Sequence, residues 1–461
     1  MPSVAILGGG IAGLTAAYQL DKQGLEVTVF EASNRTGGKI RSERAEDYLI
    51  EHGPNTIQSS TPLMEGLIDQ LGLDDAVVEA DAAAKKRYVV RDGTPHPLPM
   101  SPPEFFTTPL FSATAKLRLL AEPLVWKSGP EHDESIAHFA RRRLGREALD
   151  YGLNPFVGGI FAGDPERLSV RHAFEKLYTL EDEHGSLFKG MIRRMLDRRA
   201  NSDEQPSTRH MFSFRDGLQQ LPDALTTTLG ASVERLTAVT ALRPEDDGWT
   251  VATRHTEDGT TTEHHFDAVV CTLPLHRLAQ IDFDTVVSLH PLKKVEYPPV
   301  SVVAMGFDRA DVHHPLDGFG MLVPEVETPY RILGTIFTSA LFPDRAPGDK
   351  VLLSTFVGGA RNPDLGNAEP DTLVPLIQED LADLLGVHGE PTFVRHVPWR
   401  SAIPQYTVGY AHVKATLDTL ENRHPQLAMA GNYRKGVSVG DTMDSADRAA
   451  QRILRALEPS A

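Results

Sequence analysis

Short apolar runs closed by glycine or polar turns dominate both ends of this 461-residue chain, with a mixed pattern between them. The first run, Val4 to Leu7, is continuously apolar, as a strand buried on both faces should be. It runs into Gly8-x-Gly10-x-x-Gly13, and LTAAYQL continues with helical character towards Gly24. EVTVF predicts a second strand that ends at Glu31. Strand, glycine turn, helix and strand in this order predict a parallel βαβ unit.

From Pro95 to Trp126 the chain is rich in proline and large apolar groups, and only the second half has helical spacing. Charged helical segments, IAHFARRRLG and FKGMIRRMLDRR, extend through about Arg199. Asn201 to His210 is polar and reads as a linker or exposed loop. MFSFRDG predicts a strand and LQQLPDALTTTLG a helix, and SVERLTAVTAL, GWTVATRH and TTEHHFDAVVCTLP predict a meander. Strands from Val300 to Val357 precede the helix LVPLIQEDLADLLG, and the chain closes as strand, glycine turn and amphipathic helix. There is no internal repeat.

The glycines at 8, 10 and 13 have separate physical tasks: a sharp turn, close approach to a pyrophosphate, and tight packing of helix on strand. Phosphates would then face the positive end of the helix. Glu31 stands where an acid can accept hydrogen bonds from a ribose hydroxyl. Together these features predict a bound dinucleotide.

A net charge of −17, from 46 Lys and Arg against 63 Asp and Glu, argues against a nucleic-acid partner. The single cysteine, Cys271, excludes an internal disulfide and reads as a buried strand residue. The pairs His264-His265 and His313-His314 lack metal-site spacing and read as solvated, so no metal is expected. Arg141 to Arg143, with Arg193, Arg194, Arg198 and Arg199, read as solvated helix faces, or alternatively as contacts to phospholipid head groups or carboxylates. An immediate core strand at the N-terminus, and no apolar run of membrane-spanning length, predict a cytoplasmic protein. A peripheral contact with the cell membrane and a homo-oligomer are both compatible with the sequence.

EASNRTGGKIRS, with Arg35, Gly37, Gly38 and Lys39, resembles the second glycine motif of FAD-dependent oxidoreductases of the amine oxidase and protoporphyrinogen oxidase superfamily. GPN at Gly53 to Asn55 is similar to a loop that passes near the flavin there. Three further segments resemble the protoporphyrinogen oxidase family: GGIFAGDPERLS after Val157, AIPQYTVGY at Ala402 to Tyr410, and AGNYRKGVSVGDTMDSA at Ala430 to Ala446. The resemblance covers nearly the whole chain.

It implies an α/β fold: a Rossmann-like FAD-binding domain from residues 1–58, 208–290 and 400–461, and a sheet-based substrate domain from 59–95 and 291–399. A mostly helical insertion, 96–207, would complete it, facing a substrate channel or membrane. The cofactor implied is FAD, held non-covalently by Gly8, Gly9, Gly10, Ile11, Ala12, Gly13, Glu31, Arg35, Gly38, Lys39, Gly53, Pro54, Asn55, Thr56, Val239, Trp399, Val437, Ser438 and Val439. Gly159 is the candidate for backbone close to the substrate. No catalytic acid or base is indicated.

The activity implied is oxidation of a porphyrinogen, protoporphyrinogen IX or coproporphyrinogen III, with oxygen as acceptor. An amine oxidase, a carotenoid desaturase and a non-enzymatic escort protein of the same fold are the alternatives. Three departures from the family stand out. No Lys or Arg occurs between Arg91 and Lys116, which leaves Arg91, Lys85 or another segment to grip a propionate. Asp216 replaces a glycine in FRDGLQ, and Tyr410 stands where a histidine is expected.

Overall fold

The computed structural model describes residues 1–58, 61–127, 129, 133–200 and 211–458, without the side chains of 198–200. The polar stretch from Asn201 to His210 lies outside the described residues. β1 (Ser3–Leu7), α1 (Ile11–Asp21) and β2 (Glu26–Phe30) form the expected βαβ unit. β1 is the central strand of a parallel five-stranded sheet, flanked by β2 and Ala268–Cys271. Val233–Glu234 and Leu427–Met429 form its edges. The pairing aligns Leu7 with Phe30 and Cys271, and Cys271 with Met429. Four strands therefore end along one edge, where open α/β sheets bind their ligands.

The alternation of β1 explains its position. Val4 and Ile6 face a core shared with α1, Gln220–Leu229 and the C-terminal helix Val439–Leu457. Ala5 and Leu7 face a second core that includes Trp249, Val251 and Phe266 of the meander. A seven-stranded sheet lies elsewhere, in the order 393–399, 300–308, 350–358, 332–337, 318–322, 86–91 and 94–97. Helix Pro370–Leu385 covers it through Leu373, Ile377, Leu381 and Leu384. On the other side Tyr48 and Ile50 pack against Ala304, Leu352 and Phe393.

Residues 62–79 depart from the boundary expected at residue 58. Met64, Leu67 and Ile68 bury their side chains in the core of the parallel sheet, and Val77–Glu79 pairs with Met211–Phe214. The chain leaves that core only before Lys86–Arg91 joins the larger sheet.

Between Pro102 and Ala200 every described element longer than an isolated bridge is helical. Here the reading of Arg141 to Arg143 as a solvated face holds for the exposed Arg141 and is corrected for Arg142 and Arg143. Arg143 is fully buried, bonded to Glu122 at 2.6 Å and to Glu181 at 2.8 Å. Arg142 bonds Glu181 and Glu134. Glu122 also accepts from Ser186 Oγ and the backbone N–H groups of Leu187 and Phe188, and so caps helix Leu187–Ala200. Sequence periodicity could not reveal carboxylates waiting on other helices. Two histidines likewise depart from the solvated reading: the His264 ring lies tilted 5.1 Å from Phe30, and His314 lies edge-on to Tyr88 at 4.9 Å.

Candidate flavin and substrate site

The carboxyl edge of the parallel sheet carries the glycine turn. Gly10 is the N-cap of α1, in extended conformation and without a side-chain cap. Ile11 and Ala12 are buried in the first turn, so this helix end offers main-chain donors and little else. Gly13 packs so closely on the turn that a Cβ there would stand 1.8 Å from the Gly8 carbonyl oxygen. Glu31 Oε2 accepts from Gly9 N at 2.8 Å, and Oε1 accepts from Ser33. The acid is therefore fixed beside the turn. Val239 lies near the same place, on a strand whose first residue donates its N–H to the Glu31 carbonyl.

The second glycine motif is held against the first: Gly37 N donates to Gly9 O at 2.8 Å, and Gly10 bridges Gly37. Arg35 donates to the carbonyls of Thr36, Gly38 and Ile40. Its guanidinium thus staples the turn that presents Gly38, a positioning task the sequence did not disclose.

Lys39 Nζ lies 4.2 Å from the centre of the Trp399 ring and donates to Ser401 O. Burial, then the nearby Arg277 charge, lowers its pKa to about 8. Trp399 Nε1 donates to His52 O at 2.7 Å and so joins this cation to the loop of Gly53, Pro54, Asn55 and Thr56. Asn55 Oδ1 is buried with no hydrogen-bond partner among the described residues. Val437, Ser438 and Val439 start the C-terminal helix, where Ser438 caps Asp441 N. A glycine cradle, a bare helix N-terminus, a fixed acid and an orphaned amide oxygen suit a dinucleotide bearing a polar ring system.

Sequence reasoning missed Thr272, whose hydroxyl donates to the carbonyls of Leu7 and Gly8. Parallel pairing of Ala268–Cys271 with β1 puts it there, and only that long-range pairing could have signalled it.

The three family-like segments converge. Gln405 donates to Phe161 O at 2.9 Å, Ser169 N donates to Tyr406 O, and Leu168 bridges Thr407. Tyr406, Tyr410 and Tyr433 are buried together, with 4.6 Å between the first two rings. Tyr410 donates to Tyr433 O at 2.8 Å, and Tyr433 donates to Cys271 O at 3.2 Å. Tyr410 therefore ties AIPQYTVGY to the C-terminal loop and the parallel sheet. Burial raises the pKa values of all three phenols, so they are neutral donors here.

Helix Asn154–Phe161 carries Gly159, which is exposed and faces Leu322: a Cβ would stand 2.6 Å from Leu322 Cδ2. Arg91 does not offer a free charge. It bonds Glu147 at 2.9 Å and Leu110 O at 2.6 Å, and lies over the Tyr151 ring. Lys85 is exposed. Asp216 is also exposed and bonds Arg44, while Gly217 keeps the position where a Cβ would meet Ser42 Oγ at 2.3 Å. The lost glycine was the dispensable one of the pair.

Residues 11–454 match the family described as flavin containing amine oxidoreductase. The chain belongs to this family. It is an FAD-dependent oxidoreductase, and its FAD requirement agrees with the dinucleotide cradle. It is 37% identical to protoporphyrinogen oxidase 2, chloroplastic/mitochondrial, of Arabidopsis thaliana, over 99% of this chain and 94% of that protein. Coproporphyrinogen III oxidase of Bacillus subtilis (strain 168) is 30% identical over 98% of this chain and 97% of its own. The crystal structure of "Putative protoporphyrinogen oxidase from Exiguobacterium sp. 255-15" superposes with a TM-score of 0.81 at 26% identity, covering 98% of each chain.

Proposed function

We propose that this enzyme oxidises a porphyrinogen to a porphyrin with oxygen as acceptor, protoporphyrinogen IX being the substrate and coproporphyrinogen III the alternative. The observation that carries this reading is the meeting of GGIFAGDPERLS, AIPQYTVGY and AGNYRKGVSVGD on one wall, in a chain similar over its length to protoporphyrinogen oxidases. FAD supplies the oxidising power by accepting a hydride, and the protein holds and orients the macrocycle. Gly159, exposed on helix Asn154–Phe161, is the close-approach position. The engaged state of Arg91 suits recognition dominated by apolar contact and shape.

A fluorescence assay with both porphyrinogens side by side tests the proposal. Porphyrin should form from protoporphyrinogen IX and hydrogen peroxide should accumulate. Gly159→Val should slow turnover with FAD retained, because the branched side chain displaces Leu322 and fills the approach. Faster conversion of coproporphyrinogen III would assign the alternative, and activity on neither would defeat the proposal.

We propose further that FAD is held by the residues expected from the sequence, on the elements around the glycine turn. Glu31→Ala should weaken FAD retention by about 1–3 kcal/mol through lost hydrogen bonds. Fluorescence of flavin released on dialysis measures this, and unchanged occupancy would contradict the role.

Peripheral contact with a lipid surface is the second part of the proposal. Among the described residues no helix is long and apolar enough to cross a membrane. Helix Leu187–Ala200 instead exposes Met191, Ile192, Met195 and Leu196. Glu122 docks the neighbouring turn onto this helix, and that turn exposes Leu124 (83%) and Trp126 (91%). An apolar patch of this kind marks an interaction surface. Within Pro95 to Trp126, Leu110 and Leu119 are buried and fill the core of the helical region instead. Wild-type protein should float with neutral lipid vesicles, and Leu124→Glu/Trp126→Glu should not. Equal flotation of both would exclude this patch as the contact.

A further inference from the structure

The methionines of the chain divide by exposure. Met64, Met305, Met321, Met429 and Met443 are each at most 2% exposed and lie inside the cores. Met191 and Met195, on helix Leu187–Ala200, are 49% and 51% exposed. Four residues apart, they stand one turn above the other, and with Ile192 and Leu196 they form a single apolar stripe.

The packing of the helix fixes the outward direction of that stripe. Its inner side carries the buried Leu187 and Gly190, where a Cβ would stand 2.6 Å from Leu180 Cδ2 and 2.8 Å from His184 Cδ2. At 3.6 residues per turn, Met191, Met195, Ile192 and Leu196 point roughly 100–240° away from Gly190. Glu122 holds the start of the helix through the N–H groups of Leu187 and Phe188, so the stripe is held facing outward. Two soft thioether sulfurs are thus presented on the face assigned above to lipid.

We propose that Met191 and Met195 are a modification site: hydrogen peroxide from the oxidase reaction converts both thioethers to sulfoxides and turns the apolar stripe polar. The site rests on the proposed lipid contact and on the proposed oxygen-consuming reaction. In each step the peroxide O–O bond breaks and one oxygen forms an S–O bond. Sulfur loses two electrons, and the other oxygen leaves as water. A sulfoxide oxygen is a strong acceptor that loses its water partners at an apolar contact. Two of the four side chains of the stripe are changed in this way, so hold on the lipid weakens as peroxide builds up.

The test uses full-length, FAD-loaded protein in two arms: added hydrogen peroxide, and turnover of protoporphyrinogen IX in air with or without catalase. Peptide mass spectrometry reads oxygen addition at each methionine. Retention on a butyl column reads surface apolarity without lipid, and flotation with neutral vesicles reads the contact. With added peroxide, Met191 and Met195 should oxidise at least tenfold faster than the five buried methionines. The oxidised protein should elute earlier and float at least fivefold less, and methionine sulfoxide reductase should restore both properties. Met191→Leu/Met195→Leu should elute and float alike with and without peroxide, although the exposed Met1 and Met100 still react. In the turnover arm catalase should suppress the oxidation. If no porphyrin forms, the functional reading fails and the peroxide arm decides the site. If untreated protein does not float, the lipid reading fails, and the oxidation rates with the butyl column decide it. Oxidation no faster than at the buried methionines would overturn the proposal. So would unchanged elution of the oxidised protein, an equal change in the double variant, or porphyrin formation that leaves both methionines intact.

Discussion

Gly13→Ala is expected to yield protein with almost no bound flavin and a markedly lower thermal midpoint. The added Cβ would stand 1.8 Å from Gly8 O, a main-chain atom that cannot move without shifting the turn. Thr272 bonds that same carbonyl, so displacement would spread to the neighbouring strand. The stability loss should reach the upper end of the roughly 1–3 kcal/mol common for overpacking. Gly10→Ala makes the informative contrast. A Cβ at Gly10 would meet only Gly38 Cα, at 3.8 Å, so the polypeptide should fold normally. The new methyl would nonetheless occupy the approach to the pyrophosphate, and FAD retention should fall. The ratio of flavin to protein absorbance, with the unfolding midpoint of the flavin-free protein, measures both. Full flavin occupancy in Gly13→Ala at an unchanged midpoint would refute the packing account.

Arg143→Met should cost about 3–5 kcal/mol, the range for removing one member of a buried ion pair. Methionine keeps most of the volume but leaves Glu122 as a buried carboxylate without a cation, facing Ser186 and two backbone N–H groups. Glu181 retains Arg142, so the damage should centre on the start of helix Leu187–Ala200. Adding Glu122→Gln should restore part of the loss, since the stranded charge is then gone. Urea unfolding gives the energies, and limited proteolysis should locate the first cuts between 186 and 200. A loss below about 1 kcal/mol, as expected for a surface ion pair, would contradict the buried-network account.

These two sites mark the limits of reading the sequence. The Gly8 to Glu31 unit was legible because its signal is local: strand, turn, helix and acid follow one another within one βαβ unit. The meander and the closing helix were legible for the same reason. The task of Arg35 was not, because its motif spacing is the same whether it faces a phosphate or three carbonyls of its own turn. Arg142 and Arg143 looked solvated because their acids come from distant positions, Glu122 and Glu181. Residues 62–79 were placed with the substrate domain, whereas Met64, Leu67 and Ile68 fill the core of the parallel sheet, because apolar residues in a sequence do not say against what they pack. Tyr410 looked like a departure in the substrate region, and its packing makes it a tie between the AIPQYTVGY segment and the C-terminal loop.

The most direct test of the central claim is anaerobic mixing of the FAD-loaded protein with protoporphyrinogen IX, coproporphyrinogen III or a primary amine, while the flavin absorbance is followed. The account predicts rapid bleaching by protoporphyrinogen IX, recovery of the yellow colour on admitting oxygen, and porphyrin fluorescence that grows with oxygen consumed. Bleaching by the amine, with neither porphyrinogen able to reduce the flavin, would contradict it.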